Sequence, residues 1–303
     1  MNLRSLDAQA VAALGPDRAR EALRRVLADG FDPDDDPPRA SVPFGAGELL
    51  LMPSTAGDRA GVKLATVAPD DPARNTPRIH AVYLLFDART LAPRALLDGA
   101  ALTTLRTPAV GALGADLVAP ADADSLLVFG TGPQGRGHVE ALRAVRPVRT
   151  VGVVGRDRDR TTAFVAALRH DGIDAHEAVA TDVGSASIVA CCTTARTPLF
   201  DGRALGAEAV VVACGSHERD AREVDTETVR RCGGALVESH ASAAAEAGDV
   251  VAARAEGPVE VVTLAEVVTG RVAARPRFVK TVGMAWEDLA VAAAVVDARG
   301  DIA

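Results

Sequence analysis

Aromatic side chains are scarce in this chain of 303 residues: seven Phe, one Tyr and one Trp make up 3% of it. That argues against a large pocket of stacked rings and leaves the core to aliphatic residues, many of them Ala and Val, within a hydrophobic content of 48%. Long apolar runs are missing too. None approaches the about 20 residues that span a bilayer, so no membrane partner is expected. Positive charge is in deficit, with a formal net charge of −8, which removes the electrostatic footprint of a nucleic-acid binder. The opening segment, MNLRSLDAQAVAALG, lacks the charged start, continuous apolar stretch and cleavage site of a secretory signal. Cysteine occurs four times, at Cys191, Cys192, Cys214 and Cys232, and never at the paired spacing with histidine that marks a zinc site. No metal site is therefore expected. Cys191, Cys192 and Cys214 lie in apolar runs that read as buried strands, so reduced core thiols in a cytoplasmic protein are the expectation.

What the chain does have is SLLVFGTGPQG at 125–135, an apolar run ending in Gly-x-Gly-x-x-Gly and followed by the helix-like RGHVEALRAVR. A dinucleotide site asks for this order. Gly130 permits the tight turn out of the strand, Gly132 lets backbone approach a pyrophosphate, and Gly135 allows close packing of helix on sheet. The positive end of the helix then faces the phosphates. Thr131, Pro133 and Gln134 complete the turn, and together these residues are expected to hold NAD(P). The next strand, TVGVVG at 150–155, ends with Gly155 where an NAD-selective site places an acid, and Arg156 follows. An Arg here accommodates a 2′-phosphate, so NADPH is favoured over NADH. Asp157 is either the N-cap of the next helix or that acid displaced by two positions.

Residues 7–28 read as one or two helices broken at Gly15-Pro16, and FDPDDDPP at 31–38 reads as a solvated, acid-rich loop. Strand-like segments at 48–52, 61–67 and 80–86 come without helices between them, which predicts an antiparallel or mixed sheet. A helix over 98–118 leads into the glycine motif. After it, strands at 150–155, 187–192, 209–213 and 235–238 alternate with helical segments, the pattern of a parallel sheet covered by helices. The last stretch, a strand-like FVKTVGM and then a helix, fits a return to the first domain. The expected architecture is α/β: a Rossmann-type doubly wound parallel sheet, residues 116–277, inserted into a discontinuous α+β domain made of residues 1–115 and 278–303.

In that first part Arg39 opens the strand-like RASVPFG, Lys63 sits in the otherwise apolar GVKLATVAP, and Arg106 lies in LTTLRTPAV. By pattern alone Lys63 is an outward-facing residue on a half-exposed strand, and Arg106 a structural ion pair. GVKLATVAP, LLFDARTLAPRALLDGAALTTLRTPAVGALGADLVA, the glycine motif, PLFDGRALGAEAVVVACGS, REVD at 222–225 and VKTVGMAWEDLA occur together in one order. In that order and spacing the chain resembles the ornithine cyclodeaminase and mu-crystallin family from about Arg39 to its end. The resemblance implies a dimerisation and substrate domain built from the N-terminal part plus the final helix, an inserted Rossmann domain, and a homodimer. It also implies that Arg39, Lys63 and Arg106 hold a substrate carboxylate and that Lys63 assists proton transfer. Thr193 and Thr194 would border the cofactor, and the backbone of Val282 and Gly283 would lie near the nicotinamide. One position departs from the family. Cyclodeaminases carry an Asp two residues after the glycine matching Gly215, where it engages a distal amine; here the residue is His217. An imidazole cannot match an ammonium group, whereas it suits general acid or base work. The expected activity is therefore NAD(P)-dependent oxidoreduction at the C=N or C–N bond of a small imino or amino acid. Lys63 and His217 would be the proton-handling groups. A cyclodeaminase with internally recycled NAD and a non-catalytic NADPH-binding protein are the alternatives.

Overall fold

The computed structural model describes residues 3–69 and 79–300. The chain opens with β1 (Arg4–Leu6), α1 (Ala8–Ala12) and α2 (Pro16–Ala28), then lays down β2 (Ala40–Phe44), β3 (Gly47–Ala56), β4 (Arg59–Val67), β5 (Ile79–Asp87), β6 (Pro93–Asp98) and α3 (Gly99–Val118). There follow β7 (Ser125–Phe129), α4 (Pro133–Val145), β8 (Thr150–Val154), α5 (Arg158–His170), β9 (Asp174–Glu177), β10 (Ile188–Cys191) and β11 (Val210–Ala213). The remainder is α6 (Thr226–Arg231), β12 (Ala235–Val237), α7 (His240–Glu246), α8 (Gly248–Ala255), β13 (Val261–Thr263), α9 (Leu264–Val268), β14 (Phe278–Lys280) and α10 (Ala285–Asp297). Among the described residues no helix is long and apolar enough to cross a membrane.

These elements form two compact units, Met1–Arg106 with Met284–Ala303, and Thr107–Gly283. The first boundary falls inside α3, beside Pro108. Proline has no N–H to give the carbonyl one turn back, so the helical ladder is interrupted there. Both boundaries correct the ones read from sequence, 115/116 and 277/278. The second moves because β14 is a strand of the inserted sheet: Phe278–Lys280 pairs in parallel with β11 on one side and β12 on the other, and all three residues are buried.

The first unit holds a sheet in the order β1-β6-β5-β4-β3-β2, antiparallel except for the β1–β6 pair. Side chains alternate between its faces. One face carries Met52, Ser54, Gly61, Lys63, Ala65, Tyr83, Leu85, Ala95 and Leu97, all buried, with α10 packed over β3, β4 and β5 and against α2. α2 is amphipathic, burying Ala19, Leu23 and Leu27 at helical spacing. α10 is buried nearly all round, from Ala285 to Ala292 without a break, which explains why its sequence reads as apolar in every direction.

The second unit is an eight-stranded, all-parallel sheet in the order β13-β12-β14-β11-β10-β7-β8-β9. Its central strands are apolar on both faces, as helix-covered parallel strands must be. Strand order reverses between β7 and β10, and in such sheets ligands bind outside the C-terminal ends of the strands at that point. The edge strands β9 and β13 were not read from sequence; β9, DAHE, is exposed at three of its four residues and lacks the apolar run that marks its neighbours.

Gly61 and Tyr83 test the packing of the first sheet. A Cβ on Gly61 would collide with the Tyr83 hydroxyl, so Gly61→Ala is expected to lower stability by about 1–3 kcal/mol, the usual cost of overpacking. Adding Tyr83→Phe should recover part of the loss. Urea unfolding of the two variants reads this directly, and an unchanged Gly61→Ala midpoint would disprove the contact.

Candidate functional site

Lys63 is not the outward-facing residue that its strand pattern alone suggests. It lies on the covered face of β4, where its Nζ is 2.7 Å from Asp288 Oδ2 of α10 and donates to Thr103 Oγ1 at 3.4 Å. Arg106, at the end of this unit's share of α3, donates from Nε to Asp288 Oδ1 at 3.1 Å and from Nη1 to Glu287 Oε2 at 2.8 Å. Glu287 and Asp288 have no exposed surface, and the two cations almost none. Four charges thus share a low-dielectric site, each compensated by its neighbour, as burial requires. Burial pulls Lys63 down to about 8, against the pull of Asp288 in the other direction. A lysine in that condition exchanges its proton near neutral pH. Arg106 keeps its charge and offers a planar fork suited to a carboxylate.

Two further residues belong to this cluster. Tyr83 is the register partner of Lys63 on β5; its hydroxyl is buried without a hydrogen-bond partner among the described residues, and burial drives its phenol well above the usual value. Asp36 corrects the view of residues 31–38 as a solvated loop. Its Oδ2 accepts from the Trp286 N–H at 3.0 Å, and burial raises its carboxyl to about 6. Arg39 stands half-exposed one residue before the Ala40–Leu51 pair. That places it in the row that runs through Met52, Lys63, Tyr83 and Leu97 across the sheet. Lys63 and Arg106 are brought together through Asp288, whereas Arg39 is aligned only with the row of Lys63.

In the second unit the glycine turn has the geometry expected of it. Gly130 has φ +109°, and a Cβ there would strike the Cys192 carbonyl; a Cβ on Gly135 would strike the Gly130 carbonyl. A Cβ on Gly132 would meet nothing within 4 Å, so its glycine serves an approach from outside and not packing within. Gly132 is also the N-cap of α4, with Pro133 at the first turn and no side-chain hydrogen bond at the cap among the described residues. Thr131 lies against Gly155, and Gln134 offers its carbonyl to His138. This cradle fits a dinucleotide pyrophosphate. Gly155, at the end of β8, is fixed by Thr161, whose hydroxyl fills the space a side chain would need. A side chain there would have to displace Thr161. Asp157 caps α5, accepting from the Arg160 N–H at 3.0 Å, and residues 156–160 line an open concavity with Arg156 exposed on it.

The loops beyond β10, β11 and β14 are held by carboxylates that the sequence reading passed over. Glu223 accepts from the Thr193 N–H and hydroxyl at 2.7 and 2.8 Å and from the Gly215 N–H at 2.7 Å. Burial raises it to about 7, opposed by Lys280. Asp249 accepts from the Glu223 and Val224 N–H groups and pairs with Lys280 at 3.1 Å, while Lys280 donates to the Ser216 carbonyl at 2.6 Å. Glu238, after β12, accepts from the Val282 and Gly283 N–H groups at 2.7 and 2.9 Å. Thr193, Val282 and Gly283 are thereby fixed in position, whereas Thr194 and His217 are exposed. Lys280 carried a readable signal, a lysine inside the apolar FVK strand, the same one that drew notice at Lys63.

With this geometry in place, comparison with known proteins becomes informative. Residues 9–301 match the profile of the ornithine cyclodeaminase/mu-crystallin family. A Delta(1)-pyrroline-2-carboxylate/Delta(1)-piperideine-2-carboxylate reductase of Azospirillum brasilense is 38% identical over 272 residues, covering 86% of this chain and 84% of its own. A Delta(1)-pyrroline-2-carboxylate reductase of Burkholderia ambifaria is 36% identical over the same shares. Among solved structures, the Delta(1)-pyrroline-2-carboxylate reductase of Thermococcus litoralis, in complex with NADH and L-proline, superposes with a TM-score of 0.87 at 26% identity over 97% of each chain. From its first helix to beyond its last, this chain belongs to the ornithine cyclodeaminase/mu-crystallin family.

Proposed function

We propose that the protein is an NAD(P)-dependent imine reductase acting on small cyclic imino acids whose carboxylate sits on the imine carbon, the Δ1-pyrroline-2-carboxylate and Δ1-piperideine-2-carboxylate class. The observation that carries this reading is the buried cluster of Lys63 and Arg106 on Asp288, in a chain more than a third identical to reductases named for those substrates. When bound, a reduced nicotinamide supplies the hydride. The residues of this chain do the rest. Arg106 and Arg39 take the substrate carboxylate, with the planar guanidinium of Arg106 fixing its orientation. Glu287 and Asp288 hold Arg106 in one rotamer, so little side-chain freedom is lost on binding. Lys63 holds a proton at Nζ for the imine nitrogen, and its lowered pKa makes it a better acid than a solvated lysine. His217 offers a second proton-handling group from the loop after β11. It provides no anion for a distal ammonium group, which favours net reduction over ring closure with loss of ammonia.

Gly130, Thr131, Gly132, Pro133, Gln134 and Gly135 would hold the dinucleotide pyrophosphate, with Thr193, Thr194, Val282 and Gly283 bordering the rest. Arg156, exposed beside Gly155, supports NADPH over NADH. A homodimer is part of the same reading. The sheet face opposite α10 presents Val42, Leu49, Leu51, Val62, Leu64, Val82, Leu84 and Phe86, none of them buried. An apolar sheet face of that extent needs a cover, and a second copy of the same face supplies one.

Incubating the purified protein with Δ1-pyrroline-2-carboxylate or Δ1-piperideine-2-carboxylate should give stoichiometric loss of reduced-nicotinamide absorbance, faster with NADPH. Arg156→Ala should weaken NADPH and leave NADH little changed; equal weakening would remove Arg156 from the phosphate site. Absence of oxidation, with ammonia released from ornithine or lysine and catalytic NAD⁺, would overturn the reductase reading. The pH profile tests Lys63. Its reactive form is the ammonium, and burial brings it down to about 8, so kcat/KM for reduction should be flat below that pH and fall about tenfold per unit above it. Lys63→Met should lose most of the activity and that limb with it; the same limb in the variant would assign it to another group. Light scattering should give twice the chain mass of 31.1 kDa, and Val82→Asp should shift it toward the monomer.

A further inference from the structure

One cluster in the second unit has no part in the chemistry above. His138 of α4, Cys192 just after β10 and Cys214 just after β11 come from three elements, yet their ligating atoms all lie within 4.8 Å of one another. Spacing in sequence could not reveal it. Cys191 and Ala213 are register partners on adjacent parallel strands, so the residues that follow them, Cys192 and Cys214, point to one side, and Cys191 points to the other. His138 reaches that side from the helix above. Its Nδ1 faces the Gln134 carbonyl at 2.8 Å. A carbonyl only accepts, so Nδ1 carries the hydrogen and the neutral ring keeps its lone pair on Nε2. Nε2 is buried without a hydrogen-bond partner among the described residues, and a Cβ on Gly111 would come within 2.8 Å of it, so the ring is closely seated.

We propose that His138, Cys192 and Cys214 form a binding site for a thiophilic d10 cation, zinc(II) being the common member of that class. Two thiolates and one imidazole are the donors such ions select, and a backbone carbonyl on the far nitrogen is the usual support of a ligating histidine. Neither thiol is in a disulfide, and the three ligating atoms lie close enough together for one ion to meet all of them. Binding is balanced by proton release: the ion replaces two protons from the two thiols and the imidazole taken together, whichever of them holds those protons beforehand. The site also has a functional address. The Cys192 carbonyl is the group against which Gly130 turns, Thr193 follows Cys192, and Gly215 follows Cys214. A bound ion would clamp the strand ends that carry the dinucleotide loops.

Cadmium is the probe, because its thiolate bonds absorb in the ultraviolet. Titrating the full chain with Cd²⁺ should give a charge-transfer band that saturates at one ion per chain. About two protons should be released per ion in weak buffer, and excess Zn²⁺ should displace the band. Cys192→Ser and Cys214→Ser should each lose most of the band, and Cys232→Ser should keep it. Should the serine variants fail to fold, thiol labelling of the native chain read by mass spectrometry takes their place, with Zn²⁺ protecting Cys192 and Cys214 together. No saturating band, a band that survives Cys192→Ser, or labelling of both thiols unaffected by Zn²⁺ would each overturn the proposal.

Discussion

Two cations cannot be buried against an apolar sheet unless their countercharges are buried with them, and in the first unit the returning helix α10 brings both. Asp288 touches Lys63 with one oxygen and Arg106 with the other, and Glu287 takes a second guanidinium nitrogen. Removing either carboxylate leaves an uncompensated charge in the interior, at a cost of about 3–5 kcal/mol. The discontinuous architecture follows from that requirement. The sheet supplies one cation, α3 the other, and the chain must come back after the whole inserted unit to neutralise them.

The second unit answers a different need in the same currency. In the loops after β10, β11 and β14, three buried carboxylates gather backbone N–H groups. Glu223 ties the loop after β10 to the loop after β11, Asp249 ties Glu223 to Lys280, and Glu238 fixes the turn after β14. Hydrogen bonds to a charged acceptor are about twice as strong as neutral ones, and they leave loops positioned before any ligand arrives. Burial pushes Glu223 up to about 7, so its charge is costly to keep.

How much of this was legible follows from the range of each interaction. The glycine turn is local, and its order of strand, turn and helix is visible in eleven consecutive residues. The alternation of strands and helices after it is equally local. Lys63 and Arg106 stood out only as charges in apolar runs, and it took the resemblance to a family to favour them over a half-exposed strand or a structural pair. In the structure Arg106 is in an ion pair, with partners 181 and 182 residues away, a separation that no periodicity reports. Asp36 was hidden for the same reason: beside Asp34 and Asp35 it looks like one more solvated acid. β14 was misplaced because a three-residue strand followed by a helix reads alike at the end of one domain or the start of another. Only its neighbours, β11 and β12, decide.

The contact between Asp36 and the Trp286 N–H carries a consequence for how the molecule is made. α10 has no capping side chain at its own start, so the cap comes from a loop 250 positions upstream. During synthesis the sheet of the first unit precedes α10 by the whole inserted unit, so it waits with its lysine unneutralised until that helix has emerged. The inserted unit, complete once Gly283 has emerged, has every strand it needs before then. For these two units assembly therefore reverses the order of synthesis: the sheet translated before the inserted unit is completed after it.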